Sequence, residues 1–247
     1  MDIGIIQIIQ GTLSLIYVAI TIVLSVIFIS KYLKLGMPEL LLIGLALIGM
    51  AGPWFPEALG FLVIVLTGGL LSDQFYLSSV IIIFMIAIAY LPVAMMSWIS
   101  AITKLLNVKS RKQILIAFLI IFIAFEITFF ILASINLEFI GSFVDPFNSM
   151  ESLFIAIFYI SVMIILLISG FTFSIKSMKS ESPKIQLKGK ILLLGFIMFV
   201  IGGSLPYIVS DLLSLIITRI VVLSSSILVY LGFLLPDRLL RLFKIEV

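Results

Sequence analysis

The sequence predicts an all-α integral membrane protein: a seven-transmembrane helix bundle with its N-terminus outside and its C-terminus inside. Three observations carry this expectation. Of 247 residues, 63% are hydrophobic and 11% charged, where a soluble domain has about 45–50% and about 25%. Too little polar surface remains to cover a water-soluble core of this size. Apolar runs of the length a spanning helix needs, about 20 residues, recur along the chain. The basic residues gather in clusters that alternate with acidic connections.

The spans follow in order. Runs at 5–30, 76–101, 114–135, 152–173, 191–208 and 212–235 read directly as membrane helices. The start, MDIGII, has no basic region and no small-residue cleavage site, so the first run reads as a retained helix rather than a signal peptide. The longest polar stretch, IKSMKSESPKIQLKGK at 175–190, reads as a loop.

The run at 37–71 is ambiguous, because PWFP at 53–56 and Gly68-Gly69 interrupt it. As one straight helix it would be ~50 Å long against a hydrocarbon core of ~30 Å. As two helices it gives eight spans, each half of it being short for a full crossing. Charge arbitrates. Lys31 and Lys34, then Lys104, Lys109, Arg111 and Lys112, then Lys176 to Lys190, then Arg238, Arg241 and Lys244 are the basic clusters. Asp73, then Glu138, Asp145 and Glu151, then Asp211 dominate the other connections. One crossing over 37–71 puts every basic cluster inside; two crossings strand Lys31 and Lys34 outside, against the positive-inside rule. Seven spans are therefore preferred, with helix breaks at Pro53 and Pro56 and, in GGSLPY at 202–207, at Gly202, Gly203 and Pro206. The two broken runs, LLLIGLALIGMAGPWFPEAL and ILLLGFIMFVIGGSLPYIVSDLL, are loosely alike.

Two ionisable residues fall well inside spans, Glu126 and Arg219. A charge near the bilayer centre costs several kcal/mol unless paired or hydrated. The helical rise puts both at ~12 Å from the outer face, so a Glu126–Arg219 ion pair or shared water is expected. Gln10, Tyr159 and Glu57 reach the outer half as well. Together with the helix breaks, whose freed carbonyls need protein or water around them, they predict an outward-facing polar pocket of the kind discontinuous membrane helices build. The plain alternative is that the pair fixes helix register and the breaks are structural kinks. Trp98, near the inner end of its helix, reads as an interface anchor.

Residues 1–235 form a single helical membrane domain, and the tail PDRLLRLFKIEV at 236–247 reads as a short amphipathic helix whose Arg238, Arg241 and Lys244 meet lipid headgroups. Histidine and cysteine are both absent. That removes disulfides, thiol chemistry, imidazole bases and metal sites with nitrogen or sulfur ligands, so no metal and no cofactor is expected. No P-loop or dinucleotide glycine pattern occurs, and Ser224-Ser225-Ser226 has no base near it in sequence; an enzyme is not expected.

The layout resembles that of rhodopsin-type and other seven-helix receptors, in layout alone. No lysine follows Lys190 in the last two helices, so the usual retinal attachment is missing. The functional expectation is a receptor- or sensor-like protein of the cell membrane that binds a small or lipidic ligand. The alternatives are an ion- or proton-coupled transporter or channel and a structural subunit of a membrane complex. Expected partners are membrane lipids, a small ligand, and a membrane protein or a second copy, without nucleic acid.

Overall fold

The computed structural model describes residues 4–68, 73–143, 149–205 and 212–235. Pro206 and the tail with Arg238, Arg241 and Lys244 lie outside the described residues. The helices are α1 (Ile5–Leu35), α2 (Pro38–Met50), α3 (Phe55–Thr67), α4 (Asp73–Leu105), α5 (Arg111–Ile135), α6 (Leu153–Met178), α7 (Pro183–Ser204) and α8 (Leu212–Phe233). A 3-10 turn, Gly52–Trp54, joins α2 to α3, and the two count as one of the 7 helices long and apolar enough to cross a membrane. The protein is therefore an all-α chain of the multi-pass membrane type. It packs as two units, Met1–Ile160 and Ser161–Val247.

In the first unit the second span decides between seven and eight crossings. Along α1, the Ser25 hydroxyl donates to the Gly44 carbonyl at 2.6 Å, the Tyr17 ring meets Trp54 edge-on at 5.0 Å, and Gly11 lies against Phe61. Along α4, Lys104 bridges Glu39 at 2.7 Å, the Tyr90 hydroxyl donates to the Leu45 carbonyl at 3.2 Å, and Gly52 and Gly60 face Ala87 and Tyr76. As the second span advances, its partners step steadily backward along both neighbours. A chain that turned back at the break would reverse that order, so 38–67 is one crossing and the eight-span alternative falls.

The break itself is local. Pro53 has no N–H to give to Gly49, and the Trp54 N–H goes to the Ala51 carbonyl at 3.0 Å rather than to Met50. The helix tightens over Gly52–Trp54 and resumes in the same direction. Single cysteines placed in this cysteine-free chain at Lys34, Lys109 and Ser142 check the topology. The first two are expected to react with an impermeant maleimide from one side, and the third from the other.

Sequence signals set the helix ends. α1 stops at Gly36, whose left-handed conformation (φ 67°) lets its N–H reach the Tyr32 carbonyl at 2.8 Å, and Pro38 opens α2 in the first turn. After α5, the Asn136 side chain accepts from the Glu138 N–H at 3.0 Å, shaping a 3-10 turn over Leu137–Phe139. Strands β1 (Gly141–Phe143) and β2 (Ser149–Glu151) then pair antiparallel, Gly141 opposite Glu151. This small ribbon had no signal in the alternation of the sequence. Stacked rings join α5 to the start of α6, with Phe125 on Phe158 at 3.5 Å and on Phe154 at 5.2 Å.

In the second unit, glycines let α7 approach its neighbours. A Cβ at Gly202 would lie 2.5 Å from Val222, one at Gly203 2.7 Å from Met163, and one at Gly189 2.8 Å from the Ser174 carbonyl. The Ser225 hydroxyl donates to the Gly195 carbonyl at 2.9 Å, and Lys188 Nζ donates to the Phe233 carbonyl at 2.9 Å, satisfying the end of α8.

Two expectations need correction. The stretch 175–190 is not a loop: α6 runs to Met178 and α7 starts at Pro183. Lysines on long aliphatic stems extend both helices beyond the hydrocarbon without cost to the fold. Trp98 is not an interface anchor, being 1% exposed in the core of the first unit. Its position along the helix gave its depth but not the face on which it lies.

Candidate functional site

The site is built on α1. Gln10, Ser14, Tyr17, Thr21 and Ser25 are all buried, and their spacing of three or four residues puts them on one face. The Tyr17 and Ser25 contacts show that this face is turned to the second span. A hydroxyl inside a membrane helix needs an acceptor, and Thr21 finds one on its own helix, the Tyr17 carbonyl at 2.9 Å. Ser14 does not: it is 0% exposed and its Oγ has no hydrogen-bond partner among the described residues. Such an orphaned buried polar group costs ~1–3 kcal/mol.

Glu57, 5% exposed, sits on the facing α3. It lies between Trp54, which meets Tyr17, and Phe61, which meets Gly11, and so stands at the level of Ser14. Gln10 is one turn farther toward the end that carries Glu138 and Glu151. α4 brings the Tyr76 hydroxyl to the same region, 2.6 Å from where a Cβ on Gly60 would sit. A carboxyl, a carboxamide and hydroxyls thus gather in one helix interface at membrane depth. Groups of these kinds can donate and accept hydrogen bonds.

Gln10 and Glu57 are therefore brought together, with Pro53 half-buried and Pro56 buried in the same span. Glu126 is half-buried on α5, beside the buried ring stripe of Phe122, Phe125 and Phe129. Within the first unit and among the described residues it makes no hydrogen bond or ion pair. Tyr159 is buried on α6, next to the Phe158 that stacks on Phe125. Arg219 belongs to the second unit, buried on α8 beside Thr218. Gly202 and Gly203 serve close packing of α7.

No known family, characterised protein or solved structure matches the chain. The function is therefore argued from the site alone.

The sequence offered Gln10 and Glu57 as candidates, and the buried face of α1 adds Ser14, Tyr17, Thr21 and Ser25 to them. Their signal was present as a polar stripe at helical spacing through an apolar run. Each residue by itself looked like an ordinary tolerated hydroxyl.

Outside the spans, burial pushes the Glu151 carboxyl above its ordinary value. A group whose pKa is raised on folding favours the fold in its protonated form. Its contribution is complete below the ordinary carboxylate pKa and is lost as pH rises through the folded value. Thermal unfolding of the wild type is expected to lose stability over that range relative to Glu151→Gln. Parallel pH profiles for the two proteins would refute it.

Proposed function

We propose that the protein is a receptor- or sensor-like protein of the cell membrane, binding a small or lipidic ligand in a polar pocket of the outer half. The supporting observation is that Ser14 and Glu57 stand at one level between α1 and the broken second span, with Gln10 one turn farther along the same buried face. Ser14 adds a buried hydroxyl without a hydrogen-bond partner among the described residues. The basic ends of α1, α4 and α6 face the cytoplasm by the positive-inside rule, which turns the Gln10 level outward. In this reading the chain binds and reports and does not catalyse.

Native mass spectrometry of the protein released gently from its own membrane tests the reading. The expected result is a 27.4 kDa species carrying a reproducible small adduct that is lost in Ser14→Leu. An adduct-free chain, or a stable assembly with foreign subunits, would replace the receptor by a structural subunit.

A second reading, ion- or proton-coupled transport, draws on Glu126, an acid half-buried in mid-span. Gradient-driven flux in proteoliposomes that disappears in Glu126→Gln is its expected signature.

A further inference from the structure

The first unit gathers Lys31, Lys34, Lys104, Lys109, Arg111 and Lys112 at one end, against Glu39 as the acid of those segments. Topology alone accounts for much of this charge, and Lys104 is engaged by Glu39. The connection from α4 to α5 is built more closely. Asn107 takes a left-handed conformation (φ 52°), and the N–H groups of Asn107 and Val108 close the turn on the Lys104 and Thr103 carbonyls, each at 3.0 Å. This fixes where Lys109, Arg111 and Lys112 emerge.

Arg111 is half-buried and clamped. Its Nη2 donates to the Ser100 hydroxyl at 2.9 Å and lies 3.5 Å from the Ser100 carbonyl. Nε is buried and closed to a ligand, whereas the remaining Nη donors of the guanidinium find no acceptor among the described residues. A guanidinium has five N–H donors in a planar fork that matches phosphate oxygens, so the clamp presents a pre-oriented, under-used fork. Lys109 and Lys112 are exposed on either side of it. The Ser110 hydroxyl makes no cap hydrogen bond, so the first-turn N–H groups of α5 add to the same positive field.

The apolar run of α5 starts at Ile114, which places Arg111 in the headgroup layer. The oxyanion abundant at that depth is a lipid phosphate. A zwitterionic headgroup would bring its own ammonium against Lys109 and Lys112; an anionic one would not. We propose that the α4–α5 turn binds the phosphate of one anionic phospholipid, with Arg111 as its ligand, Ser100 as the residue that positions Arg111, and Lys109 and Lys112 as flanking cations. This site is independent of the ligand reading above.

The test reconstitutes the full chain in nanodiscs of phosphatidylglycerol and phosphatidylcholine in equal amounts and counts the lipids retained on release by native mass spectrometry. The wild type is expected to keep one phosphatidylglycerol in preference to phosphatidylcholine. Arg111→Gln is expected to lower that preference about tenfold, the worth of a charge-assisted hydrogen bond. Ser100→Ala is expected to weaken it less, and Arg111→Lys to restore only part of it. Equal retention of both lipids by the wild type overturns the proposal, as does an unchanged preference in Arg111→Gln. Should Arg111→Gln fail to fold, Ser100→Ala and the Lys109→Gln/Lys112→Gln pair decide it by the same comparison.

Discussion

Replacing Gly49 by leucine is expected to unfold the first unit at a markedly lower temperature. Between membrane helices there is no hydrophobic gain to be had, because lipid is as apolar as leucine; close packing and polar contacts hold them together. At Gly49 even a Cβ would collide with the Ala94 side chain, and the Tyr90 ring lies 3.2 Å from it. The Ala94 Cβ is fixed to the α4 backbone and has no rotamer by which to escape. Leucine would force α2 from α4 and stretch the Tyr90 hydrogen bond to Leu45. Overpacking of this kind costs ~1–3 kcal/mol, occasionally more, and a fixed obstacle puts Gly49→Leu at the upper end. Trp54 and Trp98, both buried in this unit, make fluorescence a direct readout of thermal unfolding in nanodiscs. Gly36→Ala is the control. It meets open space and suffers only its left-handed backbone, a penalty of ~1–2 kcal/mol. If Gly49→Leu melts no earlier than Gly36→Ala, the close approach of α2 and α4 is wrong.

Gly189→Val is expected to do comparable damage in the second unit, for a different reason. The obstacles there are backbone atoms, the Ser174 carbonyl and the Met178 nitrogen, each 2.8 Å from a built Cβ. Neither can rotate aside, so the crossing of α6 and α7 must open, again at the upper end of the ~1–3 kcal/mol range or beyond it. A single cysteine at Ser226, 4% exposed on α8, reports the opening. Maleimide is expected to label it slowly in the parent and quickly with Gly189→Val, while the tryptophan fluorescence of the first unit stays unchanged. Equal labelling rates would show that the crossing tolerates the side chain.

The same geometry recurs in the first unit. Gly44 and Gly189 each follow the proline that opens their helix by six residues, and each lies against a serine carbonyl, Ser25 and Ser174 respectively.

Much of the fold was legible because hydrocarbon thickness is a length that sequence displays directly. The single crossing of 38–67 was readable from charge, since Lys31 and Lys34 fit one side only. What escaped depends on azimuth and on side-chain length. Trp98 was placed at the right depth on the wrong face, and Lys176, Lys184 and Lys188 disguised helix as loop because their stems let the charge stand away from the axis. The site was half legible. Glu57 stands out as an acid in an apolar run, whereas Ser14 becomes notable only when its neighbours deny it a partner.

The second span has a consequence for how the protein is made. Among the 7 spans of the described residues it is one of the less apolar and the most buried, and it carries Glu57 together with three prolines, Pro38, Pro53 and Pro56. A translocon that judges each segment by its own affinity for lipid would find little reason to release this one alone. Its Gly44 carbonyl accepts from Ser25 of α1, its Leu45 carbonyl accepts from Tyr90 of α4, and its Glu39 pairs with Lys104 of α4. Stable insertion of the second span therefore waits for the third, and the three enter the bilayer as a cooperative set.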